Sequence, residues 1–239
     1  MYKTETHVHT FPVSACSRFS PEEMVRRYKT AGYDTLFISD HFSQYHYDKL
    51  CQYLGEELSW EKYIDHFYGA YAEAKAEGDG CGLQVLMSAE LSLGYEHYLI
   101  YGFAKENLLE LPDLFSMDIQ EFHAFARERG ITVIQAHPLR DRSCTPHPEA
   151  VDGFEVINSH PRHENYDEEL WEIARQYGFP VSAGSDVHRE EDIARSAMLS
   201  EEKITGVEQY VALLKSGGMK LMKGKEVFPS IISGETDAQ

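Results

Sequence analysis

Short apolar runs alternate with stretches of helical periodicity along most of the chain, and that alternation predicts an α/β fold. Ser20, Pro21 and Glu23 form a capping box with proline at the first helical position. Met24, Val25 and Tyr28 follow as an apolar stripe, and Gly32 is a stop. A second helix is predicted from Ser59 to Glu77, with Trp60, Tyr63, Ile64, Phe67, Tyr71 and Ala74 on its apolar face and a GDGCG turn at 78–82 to end it. Asp118 with Glu121 opens a third helix, closed by Gly130, and Asn165 with Glu168 opens a fourth, closed by Gly178. Val207 to Leu214 is the last. Buried strands are expected at Thr35 to Ser39, Leu83 to Leu91 and Tyr98 to Phe103. Strand, helix, strand order implies mostly parallel pairing with right-handed crossovers. About seven such units suit a barrel slightly short of the eight of a TIM barrel. One such domain is expected over residues 1–232, with a polar, frayed tail at 233–239.

Composition narrows the setting. With 239 residues, the chain has the size at which barrels of this kind run undivided. The four cysteines are scattered with no CxxC pair, so neither a disulfide framework nor a thiolate zinc knuckle is indicated. Neither a signal peptide nor an apolar run of membrane-spanning length is read from the sequence, so a cytoplasmic enzyme without a membrane partner is expected. The formal charge of -18 would repel nucleic acid and anionic membranes at long range, which favours a small-molecule substrate. Nothing in the composition fixes an oligomeric state.

The chemistry sits at the ends of the apolar runs. His7 and His9 close the first, Asp40 and His41 the second, Glu90 follows Leu83 to Ala89, His137 ends Ile131 to Ala136, His160 ends Phe154 to Ser159, and Asp186 and His188 end Pro180 to Ser185. In a (β/α) barrel the C-terminal strand ends gather on one rim, so these side chains are expected to converge on a polynuclear metal site. His7 and His9, two apart on a strand, leave one face and can bind one ion, and Asp186 and His188 repeat that spacing. Glu90 interrupts an apolar run where an unpaired carboxylate would be costly, and its two oxygens suit it to bridge two cations. His41 is expected to bind metal while Asp40, on the opposite strand face, orients a ligand. His97 is a further candidate, although it begins its run. His160 lies with Arg162 and His163 in a cluster that suits an anion or a metal. His46, His66, His123 and His147 read as ordinary surface or helical histidines. Imidazole and carboxylate donors suit Zn²⁺, Mn²⁺ or Fe²⁺. Among the arginines near the candidate ligands, namely Arg140, Arg142, Arg162, Arg189 and Arg195, the favoured phosphate holders are Arg162 and Arg195.

HVHT at 7–10, SDH at 39–41, AEL at 89–91, AHP at 136–138 and GSDVH at 184–188 resemble the ordered motifs of the PHP superfamily, named for polymerase and histidinol phosphatase domains. The resemblance covers nearly the whole chain. It implies a distorted seven-stranded barrel holding two or three divalent ions and, usually, phosphoesterase activity. On that resemblance His7, His9, Glu90 and Asp186 would hold the first ion, Glu90, His137 and His97 the second, and His41 and His188 a third. Many relatives complete the third site with a His or Asp just beyond the first motif, whereas this chain offers Ser14, Ala15 and Cys16, so Cys16 is the candidate thiolate ligand.

The expected reaction is hydrolysis of a phosphate ester by a metal-bridging hydroxide, with Glu90, Asp186 and Asp40 as the catalytic carboxylates. Small phosphomonoesters are the expected substrates, with histidinol phosphate, nucleotides and sugar phosphates as candidates, held by Arg162, Arg195 and His160. Rival readings are an amidohydrolase, which would bridge its metals with a modified lysine, a nuclease acting on short ends, which needs a basic, aromatic-lined channel, and a metal-binding domain without catalysis.

Overall fold

The computed structural model describes residues 1–230, so the expected tail at 233–239 lies outside the described residues. The elements in chain order are β1 (Tyr2–Glu5), α1 (Pro21–Thr30), β2 (Thr35–Ile38), β3 (His41–Phe42), α2 (Gln44–Leu54), α3 (Trp60–Cys81), β4 (Gln84–Met87), β5 (Ala89–Leu93) and β6 (Glu96–Tyr101). They continue with α4 (Lys105–Leu109), α5 (Ile119–Glu128), β7 (Thr132–Gln135), β8 (Gly153–Asn158), α6 (Asp167–Tyr177), β9 (Val181–Gly184), β10 (Ser196–Ser200), α7 (Val207–Lys215), β11 (Lys220–Lys223) and β12 (Glu226–Pro229). Among the described residues no helix is long and apolar enough to cross a membrane.

The strands form two six-stranded sheets, ordered β12-β11-β10-β1-β2-β4 and β3-β5-β6-β7-β8-β9. The sheets run into each other along one seam. Ile38 of β2 pairs with Met87 of β4, and three residues later His41 of β3 pairs with Glu90 of β5 in the same parallel sense. Glu90 N–H donates to the Asp40 carbonyl between them. At the opposite side no ladder joins β9 to β1. A single parallel bridge, Val8 to Val187, makes the contact there.

The expectation of a distorted seven-stranded, mostly parallel barrel is met only in its mixed α/β character: the described strands number twelve, in two sheets. β6 runs antiparallel to both β5 and β7, and β10, β11 and β12 add an antiparallel ribbon beside β1. The chain also leaves extended geometry beyond β9: Asp186 has φ 53°, which interrupts pairing with β1.

Local signals explain most helix boundaries. The Ser20–Glu23 and Asp118–Glu121 capping boxes both form, and Met24, Val25 and Tyr28 bury the inner face of α1. Two boundaries differ from expectation. α3 runs on to Cys81, because a Cβ at Gly78 would lie 2.5 Å from Val85 Cγ2; the glycine lets the helix press directly on β4, and Gly82 supplies the left-handed cap instead. α6 is not capped by Asn165. It follows Tyr166 in left-handed conformation, while Asn165 Nδ2 donates to the Val156 carbonyl and to Asp167 Oδ1.

The larger apolar cluster, including Phe37, Leu86, Ile100, Val133, Phe154 and Tyr210, fills the space between strands and helices. A smaller one beneath α1 and α3 includes Met24, Tyr28, Leu36 and Val85. At the β9 seam the packing is polar and close. A Cβ at Gly184 would lie 2.4 Å from Glu155 Oε1 and 2.5 Å from His7 Cβ. Gly184→Ala is accordingly expected to destabilise the fold by about 1–3 kcal/mol through overpacking, read as a melting midpoint several degrees lower, whereas Gly80→Ala, which meets nothing within 4 Å, should not lower it comparably.

Candidate metal centre

His7 and His9 extend β1, and Val8 between them makes the bridge to Val187, so both imidazoles leave the same side of the chain. His41 and Glu90 are register partners across β3 and β5. His137 and Asp186 lie just beyond β7 and β9, and each has a left-handed backbone, φ 33° and 53°. Such conformations are costly for these residue types, and here they turn side chains inward at strand ends. His97 reaches the same rim because β6 runs antiparallel: its first residues lie beside the last residues of β5 and β7, with Ala136 N–H donating to the His97 carbonyl.

Glu90 is fully buried and stands at the centre. Its Oε1 lies 3.0 Å from His137 Nε2, 3.2 Å from His97 Nδ1 and 3.3 Å from His7 Nε2, and its Oε2 lies 2.5 Å from His41 Nδ1 and 3.6 Å from His9 Nε2. Asp186 Oδ1 faces His9 Nε2 at 3.2 Å, His188 Nδ1 at 3.5 Å and His7 Nε2 at 3.6 Å. Donor atoms fall into overlapping groups that could each hold an ion: His7, His9 and Glu90; His7, His137 and Asp186; His41, Glu90 and His97; His9, His41 and His188. Bonds of about 2.0–2.2 Å to a tetrahedral ion set ligand atoms roughly 3.3–3.6 Å apart, close to most of the spacings seen.

The buried polar atoms test the fit. His7 Nε2, His41 Nδ1, Glu90 Oε2 and His137 Nδ1 all lack a hydrogen-bond partner. Buried groups of this kind are costly unless something pairs with them, and divalent cations held around the Glu90 carboxylate would supply that pairing for the first three. Burial opposes charge on Glu90, yet His41, His97 and His7 hold its carboxyl well below the usual range. Asp186 is held low against burial by His7, His9 and His188. Burial likewise opposes a charged His7, but Glu155, Asp186 and Glu90 keep its imidazole well above its ordinary value. His9 goes the other way, pushed down to about 3 by burial and by His188. His9 and the two carboxylates thus already favour the protonation states metal ligation requires, whereas His7 would give up a proton to an incoming ion.

Asp40 does not face the cluster. Its carboxylate accepts from Thr10 N–H, Thr10 Oγ1 and Ser14 Oγ, and Ser14 Oγ in turn lies 3.5 Å from His9 Nδ1. It secures the loop behind His9. Cys16 lies 3.6 Å, Sγ to Nε2, from His46, and these two with His41 form a further candidate group. His46 is buried and stacks on His41 at 4.1 Å, contrary to its reading as an ordinary helical histidine. Burial and the carboxylates of Asp186 and Glu90 push the Cys16 thiol up to about 12.

Other contributors gave a weaker sequence signal. Glu155, within the apolar strand β8, faces His7 Nδ1 at 2.9 Å and accepts from His137 N–H and Asn158 Nδ2. Glu5 accepts from the His7 and Ser185 amides and from Tyr28 Oη, tying β1 to the chain beyond β9. Both are carboxylates in runs that otherwise read as strand, the signal by which Glu90 was picked out.

The arginines sort differently from expectation. Arg162 is held by Asp192 through both terminal nitrogens at 2.8 Å and also pairs with Glu191 and His160. Its charge is already matched. Arg195 Nε donates to the Ser159 carbonyl. Arg140 instead reaches the cluster, 3.4 Å from both His137 Nε2 and His97 Nε2. His160 lies beside His188, ring centroids 5.5 Å apart, outside these donor groups.

Glu155→Gln tests the support of His7 directly. Loss of the carboxylate behind Nδ1 is expected to weaken binding of the ion at His7 about 10- to 100-fold, measured by titrating chelated protein with Zn²⁺ or Mn²⁺, with the protein still folded.

No family model and no curated protein matches the chain. Solved structures do. A two-domain protein of Bacteroides vulgatus, described as containing a predicted PHP-like metal-dependent phosphoesterase, aligns with TM-score 0.65 and 14% identity over 95% of this chain, which spans 66% of that protein's length. An amidohydrolase from Chromobacterium violaceum with bound sulfate and no metal aligns with TM-score 0.57 and 13% identity, covering 93% of this chain and 98% of that one. A lesion-specific endonuclease of Pyrococcus furiosus aligns with TM-score 0.59 and 14% identity, covering 92% of this chain and 57% of that one. Over nearly its whole length the chain has the fold of PHP-like metal-dependent phosphoesterase structures.

Proposed function

We propose that this protein is a metal-dependent phosphoesterase acting on small phosphate esters, with His7, His9, Glu90, His97, His137 and Asp186 holding a pair of divalent ions and His41 and His188, aided by Cys16 or His46, a third. The observation that carries this reading is Glu90, whose two buried oxygens face different sets of imidazole nitrogens, as a bridging carboxylate must. The donor set suits Zn²⁺, Mn²⁺ or Fe²⁺. Such ions supply hydroxide near neutral pH and neutralise the phosphoryl oxygens.

The chain's own groups do the rest. Glu155 and Glu5 fix the position of His7, and Asp40 through Ser14 that of His9. Arg140, half-buried and directed at the His97 and His137 nitrogens, is placed to hold an outer phosphate oxygen, a role Arg162 cannot take while paired with Asp192. Burial of the cluster keeps bulk water from competing for these contacts. One catalytic unit over residues 1–232 in a cytoplasmic setting completes the reading, supported by cysteines that are all free.

A nucleic-acid end is the second reading, favoured by the endonuclease among the structural neighbours and opposed by the charge of -18. Chelated protein reloaded with Mn²⁺ or Zn²⁺ should hydrolyse phosphomonoesters faster than phosphodiesters or short single-stranded DNA. The reverse order would favour the nuclease, and turnover of an amide but of no phosphate ester would favour the amidohydrolase. Glu90→Gln should abolish turnover in folded protein. Arg140→Ala should lower kcat/KM about 10- to 100-fold, the worth of a charge-assisted hydrogen bond, with Arg140→Lys restoring it only in part.

A further inference from the structure

Beside the metal centre lies a cavity of about 1090 Å³ between the loop that follows β8, the start of α6 and the β11–β12 hairpin. That volume is slightly above the usual range of about 300–1,000 Å³ for small-ligand pockets. Asn158 joins the two places: it lines the cavity, and its Nδ2 donates to Glu155 Oε2 and lies 3.3 Å from Asp186 Oδ2. A phosphate ester held at the metals therefore has this cavity within reach of its alcohol half.

Two side chains that line the cavity are buried with an unmet hydrogen-bonding atom. Ser159 is 7% exposed and its Oγ has no partner; Asn165 is 6% exposed and its Oδ1 has none. The Asn165 amide cannot simply be turned around, because its nitrogen already donates to Val156 O and Asp167 Oδ1, which fixes the oxygen as the unsatisfied acceptor. Asn165 thus asks for a donor, and Ser159 can give or accept. Arg195, which also lines the cavity, uses only Nε within the protein, leaving its terminal nitrogens without a hydrogen-bond partner among the described residues. The lining also includes Glu164 and, on the β11–β12 hairpin, Glu226, both further acceptors, and the flat ring of Phe228.

We infer that this cavity is the subsite for a polyhydroxylated, sugar-like alcohol portion of the substrate. Hydroxyl groups donate to Asn165 Oδ1 and the carboxylates and accept from Ser159 and Arg195, while the C–H face of a ring packs on Phe228. An alkyl chain would leave the buried acceptor and hydroxyl unmet, each at a cost comparable to a lost hydrogen bond. A second anion would meet Glu164 and Glu226, while the lining Lys223 is already paired with Asp167. The inference rests on the phosphoesterase reading only for what sits at the metals, so it is tested by binding.

The metal-loaded protein is titrated calorimetrically with the non-hydrolysable phosphonate analogues of glucose 6-phosphate and of n-hexyl phosphate. The sugar analogue is expected to bind at least about tenfold tighter, and Ser159→Ala should bring that ratio close to one with the melting midpoint retained. A ratio near one in the unaltered protein overturns the subsite, as does a ratio that Ser159→Ala leaves intact. Arg195→Met, at a largely solvent-facing position, is the second variant and should also reduce the ratio. Turnover of the parent phosphates is measured separately: sugar preference in binding without any hydrolysis would keep the subsite and overturn the phosphoesterase reading, whereas hydrolysis without preference would do the opposite.

Discussion

A carboxylate sealed from water and ringed by imidazoles is stable only if positive charge is supplied beside it, and Glu90 sets that demand for the whole molecule. The cost of an uncompensated buried charge is far larger than the net stability of a domain can absorb at several sites at once. Glu5, Glu155, Glu90 and Asp186 are all buried, in or just beyond β1, β8, β5 and β9. Glu5 and Glu155 are compensated by backbone amides, a tyrosine hydroxyl, Asn158 and a histidine. Glu90 and Asp186 have mainly the imidazoles, whose ring nitrogens are better used as ligands than as proton carriers.

The arrangement of strands follows from the same demand. Parallel strands deliver their C-terminal ends to one rim, but β6 delivers its beginning, and this inversion brings His97 to Glu90. The interruption between β2 and β3 falls at Ser39 and Asp40, whose side chains turn to bond Val8 and to Thr10 and Ser14. Left-handed residues at His137 and Asp186 likewise interrupt extended geometry beyond β7 and β9. Regular secondary structure is given up at the places where polar side chains gather.

Which parts of this were readable in sequence follows from what periodicity measures. Capping boxes and apolar stripes report on neighbours a few residues apart, and α1 and α5 came out as expected. Histidines and carboxylates at the ends of apolar runs reported on position within a strand, and His7, His9, His41, Glu90, His137 and Asp186 are brought together. Pairing direction is a property of two distant segments, so the antiparallel β6 and the β10–β12 ribbon were not legible. The same reason hid His46, which is buried only because α2 folds over His41, and Arg140, whose partner nitrogens come from β6 and the residue after β7. Arg162 looked available because Asp192, its partner thirty positions away, gives no local sign of the pairing. Asn165 looked like a helix cap because its neighbours fit that pattern, whereas its amide is taken up by Val156.

The lone bridge between Val8 and Val187 leaves the first and last thirds of the chain joined there by little backbone hydrogen bonding. His9 and Asp186, which flank it, are 177 positions apart. The β1–β10 ladder already brings the two ends of the chain together, so an ion shared by that pair would fasten the short stretch between the ladder and the bridge rather than close the long loop itself. Cation and local order would then be gained or lost together at this seam, with the metal fastening what the strands on either side leave unpaired.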